Sequence, residues 1–384
     1  MAPVRPPAPV LDALIRAATL PGVGPVRLWT ALAGPDAAAA GPGAVSGPVP
    51  ARGSGLGPDP SAAMARLEAL AREAGARATS TDRARARGWA ARALSTIRRT
   101  GMHVLRPDDA VYPPELRQLS EPPFPLFALG HLSLLETPRV AIVGTRSMTA
   151  YGREAAHRIA SGLATAGVTV VSGLARGVDG VAHRAAGPGR TIGVVGCGLD
   201  VVFPKAHTAL QESIGRDGLL LGEQLPGTAP TRFAFPRRNR IIAGVVRAVV
   251  VVEAPARSGA LSTAAHAREQ GRDVFAVPGP IGVPTSEGTN ALIRDGATLV
   301  TGAREVLEAL GLPPPPPGSE RDTPPPGLEG QALALWRALD REPRHADEVA
   351  ARAGLEPRRG LASLLSLEIQ GHARQLAGLR FVRG

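Results

Sequence analysis

Lysine is almost absent from this 384-residue chain: Lys205 is the only one, and every other basic residue is arginine. A phosphate-cradling Walker loop needs Gly-Lys-Ser/Thr, but Ala206 follows Lys205, so a P-loop ATPase is excluded. The lysine-dependent signature of protein kinases is missing for the same reason. There is one cysteine, Cys197, which rules out an intramolecular disulfide and a cysteine-rich zinc site. Cys197 lies among apolar residues and glycines after a predicted strand, and reads as a small core residue rather than a nucleophile. Aromatics make up only 3% of the residues, so the core must be built from Ala, Val, Leu and Ile. No run of 18 apolar residues is present and the first ten residues lack a signal-like apolar stretch, which leads us to expect a cytoplasmic chain with no membrane association.

What the chain does have is positive charge, glycine and proline. The formal charge is +11, which favours polyanions such as nucleic acid, although free use of arginine by a GC-rich genome is the plainer explanation. The 46 glycines and 38 prolines cluster, which marks linkers and turns and not general disorder.

The length calls for two or three domains. We expect a helical N-terminal domain over 1–135. Within it, Leu20 to Leu32 reads as a helix-hairpin-helix, Gly22 and Gly24 flanking Val23, with a plain helical hairpin as the alternative. Residues 34–60 are Ala/Gly/Pro/Ser-rich and read as a flexible insertion. Residues 61–100 return to helical composition, with Leu67, Leu70, Leu94 and Ile97 as core contacts. Residues 136–310 alternate strand and helix, the pattern of a Rossmann-like, doubly wound parallel α/β sheet. Strands are expected at 139–144, 168–173, 191–196, 219–223, 248–254 and 273–279. The helices between them lie near 150–167, 175–186, 206–215, 238–246 and 261–271, with a last one near 302–310. Residues 311–327 hold Pro313 to Pro317 and Pro324 to Pro326, a stiff polyproline linker. Residues 328–384 read as three helices and two short strands, a winged helix.

Ligands of such sheets bind beyond the carboxyl ends of the strands, where the strand order reverses. Five strand ends there carry candidate anion contacts. The first is Gly144, Thr145 and Arg146, where glycine admits close approach, the next helix offers N–H groups, and arginine can grip a phosphate with two donors. The second is Ser172, Gly173 and Arg176, the arginine opposing the dipole of the helix expected to start there. The third places Lys205 after a proline, a point charge suited to phosphate. The fourth, residues 231–247, holds Arg232, Arg237, Arg238, Arg240 and Arg247 with no acidic residue, and Phe233 and Phe235 beside them. Interleaved cations and rings suit single strands, because bases stack on rings while cations hold the backbone. The fifth is Arg257, Ser258 and Gly259. A row of separated basic points fits a polymer of phosphates better than one nucleotide. Each turn has a plainer alternative, a surface arginine or one paired with a distant carboxylate.

Catalytic groups are scarce. Asp179 and His183 stand four residues apart on one helix face, a spacing compatible with a metal, but no third ligand matches and ordinary pairing within the helix is favoured. No Ser-His-Asp arrangement is legible, and no metal or cofactor is expected.

The string from "VAIVGTR" through "VVSGLARGVDGVAH", "GCGLDVVFPK" and "FPRRNRIIAG" to "EAPARSGALSTAAHAREQGRDVFAVPG" resembles the DNA-processing protein A (DprA/Smf) family over about residues 100–300. The resemblance implies a non-enzymatic protein that binds single-stranded DNA without strong sequence preference. It also implies protection of incoming DNA in natural transformation, loading of the RecA recombinase, and a homodimer formed through the Rossmann-like domain. It maps DNA contact onto Arg146, Lys205, Arg237, Arg238 and Arg240. The chain departs from the family pattern in the short loop 187–190, and in Gly180 and Val181, where Thr-Ala is more usual. Two other functions compete. Related Rossmann-like hydrolases of N-glycosidic bonds carry a Pro-Gly-Gly-x-Gly-Thr-x-x-Glu loop, and the corresponding strand end here, from Glu253, lacks it. A transcription regulator would place sequence-specific duplex binding in 328–384 alone.

Overall fold

A computed structural model describes residues 8–33, 60–314, 324, 328–340 and 342–383. The insertion expected at 34–60 lies outside the described residues up to 59, as does most of the proline-rich linker.

The described residues begin with four helices: α1 (Ala8–Ala18), α2 (Pro25–Ala33), α3 (Pro60–Arg77) and α4 (Ser80–Thr100). Gly22, in the turn between α1 and α2, has φ +74°, a conformation glycine adopts without strain. Helix α4 is bounded on both sides by local chemistry. Thr79 and Asp82 form a reciprocal capping box at its start, and Gly101 ends it in the left-handed region. Leu67, Leu70, Leu94 and Ile97 are all buried, as the sequence indicated.

The nine-stranded sheet has the order β1-β2-β6-β5-β4-β3-β7-β8-β9. Its strands are β1 (His103–Leu105), β2 (Leu126–Gly130), β3 (Arg139–Val143), β4 (Thr169–Ser172), β5 (Thr191–Val194), β6 (Leu219–Gly222), β7 (Ala248–Val251), β8 (Asp273–Ala276) and β9 (Thr298–Leu299). From β6 to β9 the pairing is parallel, while β1 and β2 are antiparallel additions at one edge. The parallel strands β3, β4, β5, β6 and β7 are buried at every position, which is why they read as apolar runs without alternation. Helices pack on both faces: α5 (Pro114–Arg117), α6 (Ala150–Thr165), α7 (Val178–Ala186), α8 (Thr208–Asp217), α9 (Ala234–Gly244), α10 (Gly259–Glu269), α11 (Glu287–Arg294) and α12 (Ala303–Ala309).

Two features differ from expectation. Strands β1 and β2 fall inside the segment assigned to the helical domain, so the sheet starts at residue 103 and not at 136. The helical segment also shares its core with the sheet. Leu14, Leu67 and Leu94 cluster with Phe127, Val195 and Leu220, and Trp89 Nε1 donates to the Pro226 carbonyl at 2.9 Å. Cys197 lies in this same cluster, its thiol pushed up to about 11 by burial.

The last unit holds α13 (Gly330–Ala338), β10 (Arg344–His345), α14 (Ala346–Arg352), α15 (Pro357–Ile369), β11 (Ala373–Leu376) and β12 (Arg380–Arg383). Leu335, Trp336, Val349, Leu364 and Phe381 form its core, and the three strands pair antiparallel. No helix among the described residues is long and apolar enough to cross a membrane.

Candidate functional site

The chain runs from β3 outward through β4 and β5 to β6, then returns to place β7 on the other side of β3. Strand order therefore reverses between β3 and β7, and the loops leaving them diverge to open a crevice. Its volume is about 670 Å³. It is lined by the turns Gly144 to Arg146 and Arg257 to Gly259, by Phe203, Arg232 and Phe235, and by Asp179, Arg238 and Asn239.

Three exposed arginines face this space: Arg146, Arg232 and Arg257. None has a carboxylate partner among the described residues. Two of them lie against rings instead. Arg146 stands 5.7 Å from the centre of Phe235 and Arg232 4.8 Å from that of Phe233. Phe235 in turn packs on Phe203 at 5.4 Å, while Phe233 is 74% exposed. The cations are thus held by flat aromatic faces and keep their donors free.

The two turns beside the switch point differ. Ser258 caps α10 by accepting from Ala260 N–H at 3.2 Å, and the space beside Gly259 is open. The N-terminus of α6 is occupied by the chain's own carboxylate. Glu253, buried at the end of β7, accepts from Thr149 N–H at 2.9 Å, Thr149 Oγ1 at 2.6 Å and Thr285 Oγ1 at 3.1 Å. Its backbone carbonyl takes the Thr145 N–H at 2.7 Å. This corrects the expectation that the helix after Gly144 offers its N–H groups to an anion. Gly144 is needed for packing: a Cβ there would come 2.6 Å from Val178 Cγ2 and 2.9 Å from the Glu253 carbonyl. Thr145 is buried beside it, its Oγ1 accepting from Ser147 N–H.

Other expected contacts are also consumed within the fold. Ser172 is fully buried and donates to the Ile142 carbonyl at 2.6 Å. Gly173 donates its N–H to Asp179 and accepts from Arg238 at 2.7 Å. Arg238 is 5% exposed, bonded to the carbonyls of Gly173 and Val194. Burial lowers its pKa to about 10, against the opposing charge of Asp179. Arg240 is tied to the Glu223 carboxylate and, at 2.7 Å, to the Glu121 carbonyl. Arg237 shares Glu223 at 3.3 Å and is half exposed. So within the arginine-rich stretch Arg238 and Arg240 are structural, Arg237 is partly engaged, and Arg232 reaches the crevice. Arg176 and Lys205 are exposed with no ion-pair partner among the described residues. Arg176 lies ahead of α7, which begins at Val178, and not in its first turn as expected.

Sequence reasoning left Phe203 and Asn239 out of the site. The aromatic ring two residues ahead of the sole lysine was the signal for Phe203.

Asp179 and His183 are both buried and bonded elsewhere, not to each other. Asp179 accepts from Gly173 and Ala175 N–H. His183 Nε2 accepts from Leu174 N–H at 3.3 Å, which leaves Nδ1 to donate to Thr191 Oγ1 at 2.7 Å. No metal-competent group of three His, Cys, Asp or Glu exists among the described residues. Burial drives the His183 pKa down to about 3. The folded chain therefore refuses a proton that the unfolded chain accepts below about 6.5. Stability from this group is full above 6.5 and falls as pH drops towards 3, by about 1.4 kcal/mol per pH unit. Urea unfolding between about pH 7 and pH 5 reads this slope directly. His183→Gln should flatten it, and an equal acid slope in both proteins would refute the assignment.

The sequence profile described as "DNA recombination-mediator protein A" matches residues 103–311, and that described as "DprA winged helix domain" matches 319–378. Protein Smf of Escherichia coli K12 is 41% identical over 293 residues, 74% of this chain and 78% of that protein. DNA processing protein DprA of Streptococcus pneumoniae R6 is 48% identical over 201 residues, 52% of this chain and 71% of that protein. A crystal structure of the Streptococcus pneumoniae protein superposes with a TM-score of 0.53 at 40% identity, covering 66% of this chain and 83% of that one. A structure of DNA processing protein A from Helicobacter pylori, described for its unique single-stranded DNA binding mode, gives 0.50 at 32% identity, covering 54% and 95%.

Proposed function

The chain belongs to the DNA recombination-mediator protein A (DprA/Smf) family, and from that premise we propose that it binds single-stranded DNA in the crevice between β3 and β7. The observation that carries this reading is the set of crevice arginines with no carboxylate partner among the described residues: Arg146 against Phe235, Arg232 against Phe233, and Arg257. Cations grip successive phosphates and the exposed Phe233 ring offers a base a stacking face. Lys205 and Arg176 stand outside the crevice lining as further points for the backbone.

The protein acts by binding and not by bond cleavage. The carboxylate at the switch point, Glu253, is committed to Thr149 and Thr285, and the lone thiol is buried with a raised pKa. The family's description as a recombination mediator supports the finer reading: the protein protects incoming single strands in natural transformation and hands them to RecA in the cytoplasm. A homodimer setting two crevices side by side raises avidity for long strands.

Fluorescence anisotropy of a labelled oligo-dT against a duplex of equal length, across a salt series, tests the reading. Single strands should bind more tightly, with log affinity falling by roughly 0.7 per phosphate neutralised for each tenfold rise in salt. Duplex binding as tight as single-strand binding would overturn it.

A further inference from the structure

Many arginines of this chain are neutralised by carboxylates. Arg344 contacts Asp340, Glu342 and Glu348, Arg106 contacts Asp108 and Asp109, and Arg139 contacts Glu115. The outer surface of α7 breaks this habit. Arg184, exposed near the end of α7, has no hydrogen bond or carboxylate partner among the described residues, and neither does Arg153 in the first turn of α6. Helices α6 and α7 pack together, and the charge of Arg153 acts on Arg184. Partial burial and that repulsion both hold the Arg184 pKa below its ordinary value. Glu154, next in sequence, is held above its ordinary pKa by burial, with the charge of Arg158 acting against that shift. The only acidic residue between 175 and 191 is Asp179, buried and committed to the Gly173 and Ala175 N–H groups.

Gly180 gives this surface its shape. The position a Cβ would take there lies 2.8 Å from His207 Cε1 and 3.4 Å from Arg184 Nη1. The missing side chain lets the His207 ring and the Arg184 guanidinium close over the same point of α7. His207 belongs to the short 3₁₀ turn Lys205–His207 and is fixed there by donating Nδ1–H to the Leu174 carbonyl at 3.0 Å. His207 and Arg184 therefore meet at one point of α7, Lys205 opens the short turn that carries His207, and Arg176 stands two residues ahead of the same helix.

Resting on the single-strand reading above, we propose that Arg184 and Arg153 form a second phosphate-binding site, on the outer surface of α7, which receives the strand's backbone after it leaves the crevice past Lys205. Two guanidiniums that repel each other in a half-dry setting gain from a shared anion, and the flat fork of each suits phosphate oxygens. Lone phosphate ions gain too little to be held there; a strand already anchored in the crevice presents its next phosphates at high effective concentration.

The test compares two oligo-dT lengths, about six nucleotides and about twenty, on the full chain with Arg153→Ala/Arg184→Ala and with Arg184→Lys. The double variant should bind the longer strand roughly tenfold more weakly, its salt slope reduced by roughly 1.4, and bind the shorter strand as the wild type does. Arg184→Lys should keep most of the slope. Equal losses at both lengths, or none at the longer, would overturn the proposal. If the wild type itself fails to bind either oligonucleotide, the single-strand reading falls and not merely this extension. Both arginines are exposed and bond to nothing among the described residues, so an unchanged thermal midpoint verifies that the variants are folded.

Discussion

Replacing Arg146 and Lys205 together by alanine should weaken oligo-dT binding by roughly a hundredfold at low salt and remove roughly 1.4 from the salt slope. The reasoning rests on what these side chains do not do. Neither donates to any protein acceptor among the described residues, so removing them breaks no hydrogen bond or ion pair there. Arg146 loses only its ring contact with Phe235, and exposed cation–π pairs contribute about 0.5–1 kcal/mol. Thermal unfolding should barely move while binding collapses. Binding that survives the double substitution would mean that the strand-end turns serve another ligand, and nucleotide hydrolysis would be the next assay.

Arg238→Ala should do the reverse. Its guanidinium is buried in the crevice lining, bonded to the carbonyls of Gly173 and Val194 at the ends of β4 and β5. Its removal leaves those acceptors short of a donor and Asp179 buried without its opposing charge. Breaking such an arrangement costs about 3–5 kcal/mol. Arg237→Ala, one residue away, removes a half-exposed contact with Glu223 and should cost about 1 kcal/mol or less. Urea unfolding of the two variants side by side measures the contrast. A stable Arg238→Ala protein that has lost DNA binding would make Arg238 a ligand contact after all.

That pair of neighbours shows where the sequence stops being legible. The run "FPRRNR" announces charge, and its pattern predicts a helix from residue 238. The helix begins at Ala234, which turns Arg238 inward with Ile241 and Ile242 and leaves Arg237 on the outside. Composition cannot separate two adjacent arginines; the helical register can, and four residues decide it. The parallel strands were easy for the opposite reason: burial on both faces writes Val, Ile and Ala without a polar interruption, as in residues 248–251 and 140–143. Strands β1 and β2 carried too little signal, three and five residues that become strands only by pairing along the edge of β6. Of the five strand-end turns read from the sequence, those at Gly144, Arg232 and Arg257 line the crevice, and those at Ser172 and Lys205 do not. Which turn stays open is not legible, because Glu253 acts on Thr149 across 104 residues of sequence.

That carboxylate has a consequence for selectivity. A doubly wound sheet ordinarily seats a lone nucleotide by resting its phosphate on the first helix at the switch point. Here a resident negative charge holds that seat, hydrogen-bonded and out of water. Free mononucleotides meet repulsion where their strongest contact would form, and a large excess of nucleoside triphosphate should leave the crevice unfilled. A polymer does not need that seat, because its grip is spread over many weaker points. On the proposed single-strand reading, the fold would discriminate by chain length, ignoring the monomers from which that strand is made.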